Sequence, residues 1–299
     1  MRRLFVPPEA IQGDRIHITD KDDIFYLSVV LRMKAGDMLY AACGPGKGDE
    51  ACFPEGGPGK AVEAGISGIG TGKAYEACIS EIGRDGVWLD IAREMPAHEE
   101  KGTRVTLYQG LPKGAKMDEI VRKSTELGAS RVIPVVTARS VPGSGDVSAA
   151  KAGRWRRIAE EAARQSRRAR IPEVLDPIGL GAAAAGLAAE GFDLVLVLFE
   201  LEEGKTLKQA LREGQGGQAG SEGQGGQEGS EGQGGQAMRD GERDRKVAVF
   251  IGPEGGFERE EVERIVQEGA VSVTVGETIL RTETAGPAAI AMILYEYGL

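Results

Sequence analysis

The sequence predicts an α/β protein in two parts, a small β-rich unit followed by a larger domain whose sheet is mainly parallel. Three observations carry this. The first 95 residues alternate apolar and polar positions in short runs separated by turn signals. After Met95-Pro96, strand-length apolar runs alternate with amphipathic helical ones, the pattern of repeated strand–helix–strand units. Glycine is abundant, at 45 of 299 residues, but 10 lie in residues 44–72 and 12 in residues 214–241. The remainder is ordinary globular sequence, and the whole chain is 41% apolar, enough to build real cores.

In the N-terminal unit, residues 1–95, strands are expected at Arg15 to Ile18, Met38 to Cys43, Tyr75 to Ile82 and Val87 to Ile91. Ala35-Gly36-Asp37 and Arg84-Asp85-Gly86 supply turns. One helix, from about Asp20 to Met33, interrupts them, with Thr19 or Asp20 as its N-cap. Residues 44–73 are too rich in glycine to pack and read as a long flexible hairpin loop. Pro96 to Gly102 reads as the linker.

In the C-terminal domain, residues 103–299, strands are expected at Arg104 to Tyr108, Arg131 to Val136, Leu194 to Phe199, Lys246 to Ile251 and Val271 to Val275. Helices are expected from about Lys116 to Leu127, Val147 to Arg168, Lys205 to Arg212, Glu258 to Glu268 and Thr284 to Tyr297. Residues 214–241 contain GSEGQGGQE followed directly by GSEGQGGQA. With almost nothing apolar to bury, the duplication cannot offset its ordering entropy and is expected to be a disordered insert.

Charge and composition exclude several classes. The net charge is −9, but residues 101–172 carry 16 Lys and Arg against 6 Asp and Glu. A basic face on an acidic body suits a polyanion partner. Three cysteines, Cys43, Cys52 and Cys78, show no CxxC spacing, which favours a reducing, cytoplasmic setting. MRRLFVPPEA has no apolar signal-peptide core, and no run is long enough to span a bilayer. His17 and His98 have no companion ligands at metal spacing, so neither a metal site nor a Ser/His/Asp triad is expected.

Three stretches carry chemistry. IGPEGGF, residues 251–257, joins an apolar strand to an acidic helix and is neither a dinucleotide fingerprint nor a P-loop. It reads either as a tight turn or as glycines, Gly252, Gly255 and Gly256, that let backbone approach a flat heterocycle. VGETILRTETAGPAAIAMIL, residues 275–294, leads from a strand through an irregular loop into a helix. The small face Ala285, Ala288, Ala289 and Met292 of that helix invites close approach by backbone or a second subunit. Arg281 is expected either to pair with Glu283 or to await an anionic or carbonyl-bearing ligand. In RWRRIAEEAARQSRRARIP, residues 154–172, Arg154, Arg157, Arg164 and Arg168 recur at helical spacing and line one face.

IGPEGGF followed by ILRTETA resembles the SPOUT methyltransferases, specifically the RsmE family of 16S ribosomal RNA uracil-N3 methyltransferases. MRRLFVPP, VLRMKAGD, LPKGAKMDEIVRKSTELG and RWRRIAEEAARQSRRARIPEV resemble that family's other signatures in the same order. The resemblance implies a trefoil-knotted methyltransferase domain behind an N-terminal PUA-like RNA-binding β-barrel. It implies S-adenosylmethionine as cofactor, held by Leu198, Phe199, Gly252, Pro253, Glu254, Gly255, Gly276, Leu280, Thr282 and Ala285. It also implies a homodimer acting on 16S rRNA of the small ribosomal subunit, with one protomer's basic helix near the other's knot. RNA contacts are expected at Arg2, Arg3, Arg32, Lys113, Lys116, Arg139, Arg154, Arg157 and Arg164. For the reaction, Arg281 or Arg168 would stabilise the uracil anion and Glu283 would accept the N3 proton. The chain departs from the family pattern at Tyr26, Arg167 and Thr278. Two other readings stand beside this one, a silent rRNA-binding or assembly protein and a sister SPOUT enzyme that methylates a ribose 2′-hydroxyl.

Overall fold

The structure is a computed structural model, and it describes residues 2–43, 73–83, 85–96, 102–140, 149–216 and 245–298. The expected loop at 44–72, most of the insert at 214–241, Cys52 and His98 lie outside the described residues. The chain divides into two compact units. One comprises residues 1–100 with 160–171, the other residues 101–159 with 172–299.

The first unit is a six-stranded mixed sheet in the order β1-β4-β5-β6-β3-β2. Its strands are β1 (Arg2–Val6), β2 (Ile11–Gln12), β3 (Arg15–Ile18), β4 (Met38–Cys43), β5 (Lys73–Ile82) and β6 (Val87–Pro96). Alternation decides the faces: Ile16, Ile18, Val87 and Leu89 are buried, while Arg15, His17, Trp88 and Asp90 point outward. On the outer face His17 stacks on Trp88 with ring centroids 3.9 Å apart. Strand β1 is not among the sequence's expected strands, because its run is short and its partner, the parallel β4, is remote in sequence. The expected helix at 20–33 is shorter. It runs as α1 (Lys21–Phe25), capped by the Asp20 carboxylate, and continues as a π-turn over Tyr26–Val30.

The second unit is a parallel sheet in the order β10-β8-β7-β12-β11-β13, with β9 beside β8. These strands are β7 (Arg104–Gly110), β8 (Arg131–Val136), β9 (Glu173–Val174), β10 (Ile178–Gly179), β11 (Leu194–Leu198), β12 (Lys246–Ile251) and β13 (Val271–Val273). Strands buried on both faces read as apolar runs, as in KVAVFI and LVLVL. The helices are α2 (Lys116–Leu127), α3 (Ala149–Gln165), α4 (Leu180–Ala185), α5 (Leu187–Glu190), α6 (Leu207–Gly216), α7 (Arg259–Gln267) and α8 (Thr282–Tyr297). On one face Tyr108, Val197, Phe250, Val262 and Ile265 form a core with α4, where the Tyr108 and Phe250 rings stack at 4.2 Å. On the other, α8 packs on β7, β12 and α2.

Two departures from expectation have a clear cause. Helix α8 starts at Thr282, not Thr284, because the extended Arg281 serves as N-cap and its carbonyl accepts from the Thr284 and Ala285 N–H groups, both at 2.8 Å. Pro287 therefore falls in the second turn. Helices α4 and α5 escaped notice because GLGAAAAGLAAE has helical residues but no polar-apolar period.

Candidate functional site

All strands of the second sheet run parallel, so β7, β11, β12 and β13 end at one edge, where open α/β sheets bind ligands. The chain order reverses between β7 and its neighbour β12, and two glycines sit at that seam. A Cβ on Gly110 would stand 2.7 Å from Pro253 N, so the end of β7 abuts the loop after β12 with no room for a side chain.

That loop is Gly252-Pro253-Glu254-Gly255-Gly256-Phe257. Gly256 N–H donates to the Pro253 carbonyl at 2.9 Å and closes the turn. Gly256 adopts φ +70°, the left-handed region in which a Cβ is penalised. A Cβ on Gly252 would lie 2.9 Å from the Gly256 carbonyl carbon. The glycines therefore present bare backbone because the fold demands it. Phe257 is buried, and the Glu258–Glu261 capping box starts α7.

The first loop follows β11. Leu198 is half-buried and Phe199 is buried, its N–H bound to the Val273 carbonyl at 3.0 Å. The third follows β13: Gly276 is exposed at φ +152°, Leu280 is half-buried, and Ile279 is 77% exposed, unusual for a large aliphatic side chain. Thr282 closes this loop. Its hydroxyl donates to the Gly252 carbonyl at 2.7 Å and accepts from Gln109 Nε2 at 2.9 Å. Ala285 is buried one turn on. The ten residues predicted to hold the cofactor thus lie on three loops and one helix start along a single sheet edge.

Charge ties a fourth segment to this edge. The Lys113 N–H donates to both Glu254 carboxylate oxygens at 3.0 and 3.2 Å, and Lys116 Nζ lies 3.0 Å from Glu254 and 3.4 Å from Glu283. Burial by itself would raise the Glu254 carboxyl, but bonds from backbone N–H groups and Lys116 outweigh it and hold it below the ordinary carboxylate range. The stability this carboxylate contributes is complete above the unfolded-chain value and is lost as pH falls through the lower folded value. Glu254→Gln removes the linkage. Thermal melts of the two proteins should differ most near pH 6 and converge as pH falls through the lowered folded value; a gap independent of pH would refute the assignment.

The remaining predicted residues are spread more widely. Arg281 is exposed, and it pairs with neither Glu283 nor any other described side chain. Glu283 turns to Lys116 instead. Arg139 Nη1 donates to the Gly255 carbonyl at 2.6 Å, and Arg154 meets Asp118 at 2.6 Å. Arg157 is exposed. In the other unit, Arg2 and Arg3 lie on β1, and Arg32 is exposed at φ +52°. Arg168 is buried, with its N–H bound to the Ala163 carbonyl. Arg164 is enclosed by Asp23 at 2.7 Å, by Glu160, and by the Tyr26 ring at 5.6 Å. Its guanidinium is taken up by the fold.

Sequence reasoning missed Gln109 and Gly110. A lone glutamine in the apolar run RVTLYQG was the available signal. Among the described residues no cluster of metal-ligating side chains occurs, and no helix is long and apolar enough to cross a membrane.

The RNA methyltransferase domain model matches residues 99–294. The ribosomal RNA small subunit methyltransferase E of Bacillus subtilis is 31% identical over 210 residues, 70% of this chain and 70% of that relative. The protein of the same name from Synechocystis is 31% identical over 63% of this chain, but the match spans only 52% of its length. The crystal structure of a ribosomal RNA small subunit methyltransferase E from Neisseria gonorrhoeae bound to S-adenosyl methionine superposes with a TM-score of 0.69 at 23% identity, over 99% of this chain and 97% of that one. The fold is shared over nearly the whole of both chains. The family model covers well over half of the chain and the Bacillus relative most of it, so the chain belongs to the RNA methyltransferases, in the ribosomal RNA small subunit methyltransferase E family.

Proposed function

We propose that this protein methylates N3 of a uridine in 16S ribosomal RNA of the small subunit, with S-adenosylmethionine as methyl donor. One observation carries the reading: three loops at one sheet edge, one of them bare backbone at Gly252, Gly255 and Gly256, face the seam between β7 and β12 beside Arg281, which has no side-chain partner among the described residues. These residues fit the cofactor. It has no phosphate, and the edge has no phosphate loop. Leu198, Leu280 and Ile279 offer apolar surface to its adenine, and the glycines let backbone N–H and C=O groups reach it. Pro253, Gly276 and Ala285 shape the cradle, while Glu254 holds the 113–116 segment against it. When bound, S-adenosylmethionine supplies an electrophilic methyl group on a sulfonium.

The chain's own residues must do the rest. Uracil N3 carries a proton that is held at neutral pH, and its loss leaves an anion shared with O2 and O4. A guanidinium aimed at either oxygen stabilises that anion, a role we assign to Arg281 or Arg168. Glu283 is the proton acceptor, oriented by Lys116. Arg2, Arg3, Arg32, Lys113, Arg139 and Arg157 are proposed to hold the RNA backbone, together with Lys116, Arg154 and Arg164 insofar as RNA exchanges for their carboxylate partners.

We further propose a homodimer in a cytoplasmic setting, with a trefoil knot formed as α8 returns across the sheet from the edge strand β13. Helix α8 supports the dimer: Ala285, Gly286 and Ala289 are buried, whereas Ala288, Ala291, Met292 and Tyr295 form an exposed or half-exposed stripe, with Tyr295 87% exposed. Two measurements test the function. Calorimetry should detect S-adenosylmethionine binding, and its absence would favour a silent rRNA-binding protein. Mass mapping of 16S rRNA from a deletion strain should show one N3-methyluridine lost; loss of a 2′-O-methyl group instead would transfer the protein to the ribose methylases.

A further inference from the structure

We propose that Gln109 is the positioning residue of the cofactor edge, fixing the Gly252 carbonyl through the Thr282 hydroxyl. The inference rests on the reading of the Gly252 loop as the cofactor's cradle. Gln109 is fully buried at the end of β7, and its side chain joins three segments that are 109, 252 and 282 in sequence.

The direction of the bonds follows from their chemistry. Gln109 Nε2 lies 3.0 Å from the Gly110 carbonyl and 3.4 Å from the Gly252 carbonyl, two groups that only accept, so the nitrogen must occupy this end of the amide. Its second hydrogen reaches Thr282 Oγ1 at 2.9 Å. The hydroxyl is thereby made an acceptor, and its own proton is left for the Gly252 carbonyl at 2.7 Å. An amide turned the other way would draw that proton to itself and release the carbonyl. The relay therefore sets both where Gly252 sits and which way its carbonyl points, at the residue where β12 gives way to the glycine loop.

A purely structural account is less economical. Gln109 Oε1 is buried with no hydrogen-bond partner among the described residues, and it approaches Gly286 of α8 closely enough that a Cβ there would stand 3.2 Å away. A methionine of similar length would fill the space without stranding an oxygen. The glutamine is costly as core and useful as a director of the loop.

The test uses Gln109→Met, Thr282→Val and the double variant in the full chain. In the free protein, amide hydrogen exchange at Gly252 to Phe257 should quicken about tenfold in each, while β7 and β12 keep their protection. The dissociation constant for S-adenosylmethionine should rise about tenfold in each single variant and no more than about twofold further in the double, because both remove one relay. Melting of Gln109→Met should stay level or rise. Exchange unchanged in the loop, or quickened throughout the sheet, overturns the proposal, as do fully additive affinity losses. Failure of the unaltered protein to bind S-adenosylmethionine would instead overturn the assignment of the cradle, and the exchange data would still decide the role of Gln109.

Discussion

Arg281→Ala should lower the rate of methyl transfer by about 10²- to 10³-fold while leaving S-adenosylmethionine affinity within about twofold of the unaltered protein. The magnitude is that of removing one well-placed donor from a developing anion. The selectivity follows from what Arg281 does in the fold. Its backbone is held as the N-cap of α8 by the Thr284 and Ala285 N–H groups, and alanine makes the same backbone bonds. Its guanidinium is exposed and has no partner among the described residues, so its loss should cost about 0.5 kcal/mol of stability at most. Arg281→Lys should fall between, since it keeps the charge but not the planar fork. Single-turnover kinetics with calorimetry on the same preparations separates the steps. Arg168→Ala needs a melting curve beside it, because Arg168 is 8% exposed and its removal also disturbs packing. Turnover preserved in both variants would remove arginine from the mechanism.

The asymmetry between these two arginines shows what was legible in the sequence. Glycine, proline and the apolar runs either side of them placed the loops after β11, β12 and β13, because turn chemistry is local and such strands are buried on both faces. Helical spacing reads Arg154, Arg157, Arg164 and Arg168 as one face of a helix running to Arg168, but α3 ends at Gln165 and Arg168 lies beyond it. Spacing is silent on partners: Asp23, 141 residues from Arg164, encloses one of them, and no period in either stretch foretells it. Tyr26 and Arg167, two departures from the family pattern, have local accounts. Tyr26 supplies the ring over which Arg164 lies, and Arg167 takes φ +58° just past the end of α3. Helix α8 begins two residues before the expected Thr284 because Arg281 serves as its N-cap through the backbone alone, with no side-chain signal in the sequence. Gln109 and the Lys116–Glu254–Glu283 group depend on strands and helices meeting across more than 130 residues, which only the folded sheet edge reveals.

Two glycines in one loop should respond differently to the same substitution, and the difference measures what each is for. At Gly252 an added Cβ meets Gly256 C at 2.9 Å, Gly256 Cα at 3.0 Å and Phe257 N at 3.1 Å, all backbone of its own turn. None can swing aside, so the turn itself must open and carry the Gly252 carbonyl away from Thr282. At Gly256 the three atoms nearest the added Cβ all belong to the Glu200 carboxylate, the end of an exposed, flexible side chain that can rotate away. What remains is the left-handed backbone, φ +70°, at about 1–2 kcal/mol. Gly252→Ala should therefore raise the S-adenosylmethionine dissociation constant at least about thirtyfold, about 2 kcal/mol. Gly256→Ala should show its effect first as a lowered melting temperature, with a smaller change in affinity. Calorimetry and thermal melts on both variants check the order. If Gly256→Ala lost more affinity than Gly252→Ala, the close backbone approach at Gly252 would not be the feature that shapes the cradle, and the left-handed turn at Gly256 would take its place.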